Sequence, residues 1–160
     1  MAKAFEVRPI QEGDIEYIAG NLRLADQQEL IASRGQDGSF FQIVAEAVGV
    51  STKAWAMVGE DLRPTAVFGV APVSLLHRAG SPWLLGTDAL FGHARTLVVW
   101  GRWYVARMRE MYPGGLHNYV DARNVLSVNW LKRIGFTIHP PEPYGVEGQP
   151  FHLFTMTKDD

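Results

Sequence analysis

The sequence contains no cysteine. That excludes a disulfide framework, a thiolate nucleophile and any zinc site built on sulfur, and it suits a reducing compartment. Long apolar runs are missing too. The densest, TLVVWGRWYVARM, is interrupted by Gly101, Arg102 and Arg107, whereas a membrane span needs about 20 apolar residues. MAKAFEVRPIQEGD lacks the apolar stretch of a signal peptide, so a soluble chain without a targeting signal is expected. Charge of one sign is scarce: the formal net charge is -2, which argues against a general nucleic-acid or membrane surface and leaves only local basic patches. No repeat, low-complexity block or long linker divides the 160 residues, and one domain over 1–160 is expected.

What the chain does have is apolar side chains, 47% of the total with 20% charged, enough for a substantial core. Their spacing gives the elements. Residues 5–10 alternate like a short strand. Asp14 stands where it can cap a helix, with Ile15, Ile18, Leu22 and Ala25 on one face. SRGQDG is turn chemistry, and Ser39 caps a second helix whose stripe is Phe40, Ile43, Val44 and Ala47. KAWAMVGE and PTAVFGVAPVSLL form a hairpin through DLRP, and SPWLLGTDAL is a fourth strand. The longest helix spans about 92–112, with Leu97, Trp100, Tyr104, Met108 and Met111 facing the core. LHNYVDA is a fifth strand. NVLSVNWLKRIGF is a helix in which Asn124 can cap, Val125, Val128, Leu131 and Ile134 pack, and Gly135 ends the run in a left-handed turn. GFTIHP and PFHLFTMT are closing strands around the loop PEPYGVEGQ. The order β-α-α-β-β-β-α-β-α-β-β predicts an α/β (α+β) fold: a mixed, mostly antiparallel sheet with helices on both faces.

That order, together with Asn124, Ser127, Trp130, Leu131, Gly135 and Phe136 in the last helix, resembles the GCN5-related N-acetyltransferases (GNAT). Members bind acetyl-CoA through backbone amides in a glycine-rich turn between the fourth strand and the long helix. Here that turn reads GTDALFGHAR. Its glycines are not at the family spacing, Phe91 stands where a small residue is expected, and Asp88 adds negative charge. The resemblance makes Gly86, Thr87, Asp88, Gly92, Arg95 and Asn124 the coenzyme-binding candidates if acetyl-CoA is used. Thr87 and Asp88 also read as a turn with a helix cap. Leu131 occupies the position of the family's tyrosine acid and cannot donate a proton. Tyr104, Tyr119 and Tyr144 are candidate phenols to replace it, and Glu46, Glu60, His93 and His117 are unspecific base candidates.

A second resemblance covers the last third. NYVDARNVLSVNWLKRIGFTI and PYGVEGQPFHLFTMTK are similar to a family of small phage proteins that includes an internal virion protein of short-tailed phages. It implies a phage or prophage origin, contacts with phage virion proteins or a host protein, a place in the virion or the host bacterial cytoplasm, and no expected cofactor. Trp103 and Tyr144 are the interface candidates.

The five histidines (77, 93, 117, 139 and 152) have no close metal-ligand spacing, and no nucleophile elbow or Gly-Lys-Ser/Thr phosphate loop occurs. Arg102, Arg107, Arg109, Lys132 and Arg133 form either a basic surface or the solvated faces of two amphipathic helices. The leading expectation is a GNAT-like virion component with a degenerate acyl-CoA site. The alternative is an active acyl-CoA-dependent N-acetyltransferase, and a third reading is a regulator that binds a host protein.

Overall fold

Alternation along the third strand organises the molecule: Val67 packs on one face of the sheet, Phe68 and Val70 on the other. The computed structural model describes residues 5–36 and 38–159. Its elements are β1 (Glu6–Pro9), α1 (Asp14–Gly20), α2 (Leu24–Arg34), α3 (Phe40–Val50), β2 (Lys53–Val58), β3 (Pro64–Ser74) and β4 (Ala79–Gly86). A 3-10 turn (Leu90–His93) then leads into α4 (Ala94–Met111), β5 (Leu116–Asp121), α5 (Val125–Arg133), β6 (Thr137–Ile138), β7 (Glu142–Tyr144) and β8 (Gln149–Met156). The strands form one eight-stranded sheet in the order β1-β2-β3-β4-β5-β8-β6, with β7 also paired to β8. Every neighbouring pair is antiparallel except β4 with β5. The mixed, mostly antiparallel α/β architecture expected from the sequence is present.

The two faces carry separate cores. Ile18, Leu22, Leu30, Ile43 and Val44 cover Val67 and Leu85 on one side. Leu97, Val105, Met108, Val128, Leu131 and Ile134 cover Phe68, Val120 and Phe154 on the other. Burying each such side chain stabilises the fold by about 1.5–3 kcal/mol. Ser39 caps α3 in a reciprocal box with Gln42, as its place predicts. No helix among the described residues is long and apolar enough to cross a membrane.

Four expectations need correction. The first helix is two. Arg23 leaves helical geometry (φ -54, ψ 144), and its backbone N–H donates to Gly86 O at 2.9 Å. That tie to the sheet breaks the apolar repeat that ran through Leu22 to Ala25. Asp14 is not a cap: Gly13 takes that place, and Asp14 accepts from Arg8 Nη1 at 2.7 Å and from Gln11 N at 2.7 Å. Burial alone would push its carboxyl up, but those donors hold it below the usual range. Val125 is 59% exposed rather than packed. PEPYGVEGQ is not a free loop: residues 142–144 add a strand to β8, and the turn after them donates from Val146 N to Ser33 O (3.4 Å) and from Glu147 N to Ala32 O (3.3 Å) on α2. Within the SRGQDG turn, Asp37 lies outside the described residues, as do Met1 to Ala4.

Gly114 shows how tightly the base of β4 and β5 is joined. A Cβ there would lie 1.7 Å from His77 O, against backbone that cannot swing aside. Gly114→Ala is therefore expected to lower the urea midpoint by the equivalent of about 2 kcal/mol or more, since overpacking against fixed atoms commonly exceeds 1 kcal/mol. A change at Gly92, where a Cβ meets nothing within 4 Å, is the control.

Candidate active site

The parallel pair at the sheet centre is barely a pair. β4 and β5 register only at Gly80 and Leu116, where Gly80 N–H donates to Gly115 O at 3.0 Å. Beyond that point the strands part. Pro82, two residues on, has no N–H to offer its neighbour. Its carbonyl instead accepts from Asn118 Nδ2 at 2.8 Å, while Asn118 Oδ1 accepts from Tyr119 N at 2.8 Å. One amide side chain thus bridges the opening. A cavity of about 500 Å3 follows, reaching from Leu30 and Ile43 on one face of the sheet to Leu97 and Trp130 on the other.

Strand alternation fixes which backbone groups face this cavity. Gly80 N–H points across to β5 and Thr87 N–H points back to Thr65 O on β3, at 2.9 Å. The β3–β4 register runs unbroken from Gly80 to Gly86. Even-numbered residues of β4 therefore direct N–H and C=O at the gap. Pro82 O is taken by Asn118, and Gly86 is taken on both sides: its carbonyl by Arg23 N, its N–H by Asp26 Oδ2 at 2.8 Å. That leaves the Leu84 amide facing the opening without a strand partner.

The far ends of both strands are closed by one helix. Asp26 and Glu29 stand three apart on α2, on one face. Asp26 accepts the Gly86 amide of β4, and Glu29 Oε1 accepts the Asp121 amide of β5 at 2.6 Å. Asp26 Oδ1 also accepts from Arg23 Nη1 at 3.1 Å and Asn124 Nδ2 at 3.5 Å. Arg23 Nη2 donates to Asn124 Oδ1 at 3.3 Å, and the guanidinium lies 4.8 Å from the Phe91 ring centre. Asn124 sits at the start of α5 without a side-chain cap bond, because its side chain is spent on this network. Burial pushes the Asp26 carboxyl up, against Arg23, the Gly86 amide and Asn124. Glu29 is pushed up to about 8, chiefly by burial. The Asp121 amide opposes the shift, while the charges of Asp26 and Asp121 add to it. The residue keeps partial solvent contact and lines the cavity.

The remaining sequence candidates fall into two groups. Tyr104, Tyr119 and Tyr144 all line the cavity; Tyr119 and Tyr144 stack at 4.0 Å. Burial raises the Tyr104 hydroxyl, against the nearby Arg107 charge. Tyr144 also packs on Phe151, whereas Trp103 is 51% exposed on α4. Glu46, Glu60, His93 and His117 do not line the cavity: Glu46 pairs with Arg34 at 3.6 Å, and His93 packs edge-on against Phe5. Asp26 and Glu29 are not among the residues that the sequence pattern singles out.

The turn after β4 spends most of its donors on itself and on β3. Thr87 N and Oγ1 both donate to Thr65 O, Ala89 N to Thr87 Oγ1 (3.3 Å), Leu90 N to Thr87 O (3.1 Å) and Gly92 N to Ala89 O (3.1 Å). Asp88, Gly92 and Arg95 are exposed. A coenzyme A molecule therefore meets a divided site. The cavity, with its free Leu84 amide and apolar walls, suits a thioester arm. At the turn, five of the seven amides from Gly86 to Gly92 already have acceptors, and the Asp26 and Asp88 carboxyls flank it.

A mixed sheet whose central parallel strands splay around a through-going cavity defines the GNAT acetyltransferase fold. No family model and no curated protein matches the sequence. Solved structures do match. Ribosomal-protein-S5-alanine acetyltransferase from Vibrio fischeri aligns over 100% of this chain and 96% of its own, at TM-score 0.70 and 16% identity. A probable GNAT-family acetyltransferase from Chromobacterium violaceum aligns over 99% and 90%, at 0.69 and 18%. Spermidine N-acetyltransferase from Vibrio cholerae, in complex with CoA and spermine, aligns over 98% and 96%, at 0.64 and 12%.

Proposed function

We propose that this chain is an N-acyltransferase that moves an acyl group from a thioester to an amine. The observation that carries the reading is the opening between β4 and β5, which presents the Leu84 amide from one wall and Glu29 from the other. The amine nitrogen attacks the thioester carbonyl; the C–N bond forms and the C–S bond breaks. Leu84 N–H stabilises the charge that develops on the carbonyl oxygen. Glu29, once ionised, takes the proton from the amine. The departing thiolate takes a proton from a cavity phenol; Leu131 lines the same cavity and has none to give. Among the phenols, Tyr104 stays protonated well beyond neutral pH because of its burial. The products are an amide and a free thiol.

The test is acetyl-thioester turnover, followed by thiol release with spermidine, lysine and an alanine-terminated peptide as amines. Amine-dependent thiol release is the expected result. Release that no amine accelerates, from acetyl-CoA or from S-acetylpantetheine, would remove the proposal.

One observation favours a second reading. Five of the seven amides of residues 86–92 are committed, as a GNAT scaffold without acyl-CoA chemistry would show. With the phage-like ending FHLFTMTK, this supports a virion-associated component acting through protein contacts. The same ending has a packing explanation, since Phe151, Phe154 and Met156 are buried in β8. Co-purification with assembled particles, together with absent turnover, is the result that would favour it.

A further inference from the structure

We infer that the acyl donor reaches this site on the phosphopantetheine arm of an acidic carrier protein, which docks along an exposed stripe of α4. The inference rests on the acyl-transfer reading above. It begins from the mismatch within the site: the cavity accepts a thioester arm, while five of the seven amides from Gly86 to Gly92, where the nucleotide diphosphate would be held, are already bonded within the fold. A donor recognised by its arm, and by something other than a nucleotide, resolves that mismatch.

The helix surface beside the gap supplies the other half. Residues 94–133 hold seven basic side chains against two acidic ones, whereas the rest of the chain holds eight against fifteen. The charges are thus segregated although the total is nearly neutral. On α4, Arg95, Val99, Trp103 and Arg107 recur every four residues and share one face. Val99 is 68% and Trp103 51% exposed, and the Arg107 guanidinium lies 4.8 Å from the Trp103 ring centre. The stripe begins at the helix end nearest the gap. There the first turn of α5 adds Val125 and Leu126, 59% and 57% exposed, directly after the cavity-lining Asn124. Apolar side chains bracketed by cations suit an acidic protein surface with an apolar patch. A nucleic acid would use the cations but not Val99, Val125 and Leu126. After transfer the arm returns to its carrier as the free thiol, so the atom balance is unchanged.

Calorimetry with acetyl-CoA, S-acetylpantetheine and an acetylated bacterial acyl-carrier protein tests this, alongside thiol release from each. The coenzyme is expected to bind within about threefold of S-acetylpantetheine, and the carrier at least about tenfold more tightly than either, a gap of about 1.4 kcal/mol. Arg95→Glu with Arg107→Glu should abolish the carrier's advantage and leave S-acetylpantetheine binding unchanged; raised salt should act in the same direction. Acetyl-CoA binding about tenfold tighter than S-acetylpantetheine, or equal displacement of the carrier by a single-stranded oligonucleotide, would overturn the inference while leaving the acyltransferase reading in place. No binding and no turnover with any of the three would instead remove that reading.

Discussion

Glu29→Gln is expected to abolish most amine-dependent turnover and, at the same time, to make the protein more stable in alkaline solution. Both effects come from one proton. The carboxyl has an ordinary value near 4.5 and is raised to about 8 in the folded chain, so the folded state holds a proton that the unfolded state releases. The stability this confers is complete below pH 4.5, is lost as pH rises from 4.5 to about 8, and is absent above it. The slope is about 1.4 kcal/mol per pH unit, a few kcal/mol in all. Glutamine does not titrate, and its Oε1 can still accept the Asp121 amide. The variant should lose that part of the slope and keep the smaller part due to Asp26, whose raised carboxyl acts in the same direction. Turnover by the parent chain should rise through pH 8 as the base ionises. In the variant it should fall by about 10²–10⁴, the usual contribution of a positioned base. Urea titrations and rate profiles across the same pH range measure both. A variant with the parent's rate profile would exclude Glu29 as the base.

The second large effect is at Arg23. Its guanidinium is the cationic partner of Asp26, and their side chains are 8% and 3% exposed. Arg23→Met leaves a buried carboxylate with only the Gly86 and Asn124 donors, and should destabilise the chain by about 3–5 kcal/mol at neutral pH. The deficit should shrink as pH falls and Asp26 takes up a proton. Adding Asp26→Asn should recover most of the loss. The new amide can accept from Gly86 N–H and donate to the Asn124 oxygen that Arg23 has vacated. Equal stability of the single and double variants would mean that the pair is not what holds α2 in the gap.

Much of this architecture was visible in local pattern: the hairpin of β2 and β3, the capping box of α3, the stripe of α4 and the turn at Gly135 all follow from residues close in sequence. The site was less visible for a physical reason. Asp26 meets Gly86 across 60 positions and Asn124 across 98, and Glu29 meets Asp121 across 92. On a helix wheel these acids belong to an ordinary polar face; only the open ends of two splayed strands make them interior residues. Asn124 was read as a cap because its position is a cap position, and the network diverted its side chain. The turn after β4 was legible as a turn. The cavity beside it was not, because strand divergence depends on which backbone groups find partners. Pro82 was the one local sign of it.

The turn between β7 and β8 is a further tie on α2, and it comes from far along the chain. During synthesis, a nascent protein lacking β8 has neither the strand beside β5 nor the turn over Ala32 and Ser33. Glu29 is then less enclosed, and its carboxyl holds its proton less tightly. Proton uptake by Glu29 near neutral pH is therefore acquired once β8 has paired with β5, and it marks the closing of this end of the sheet.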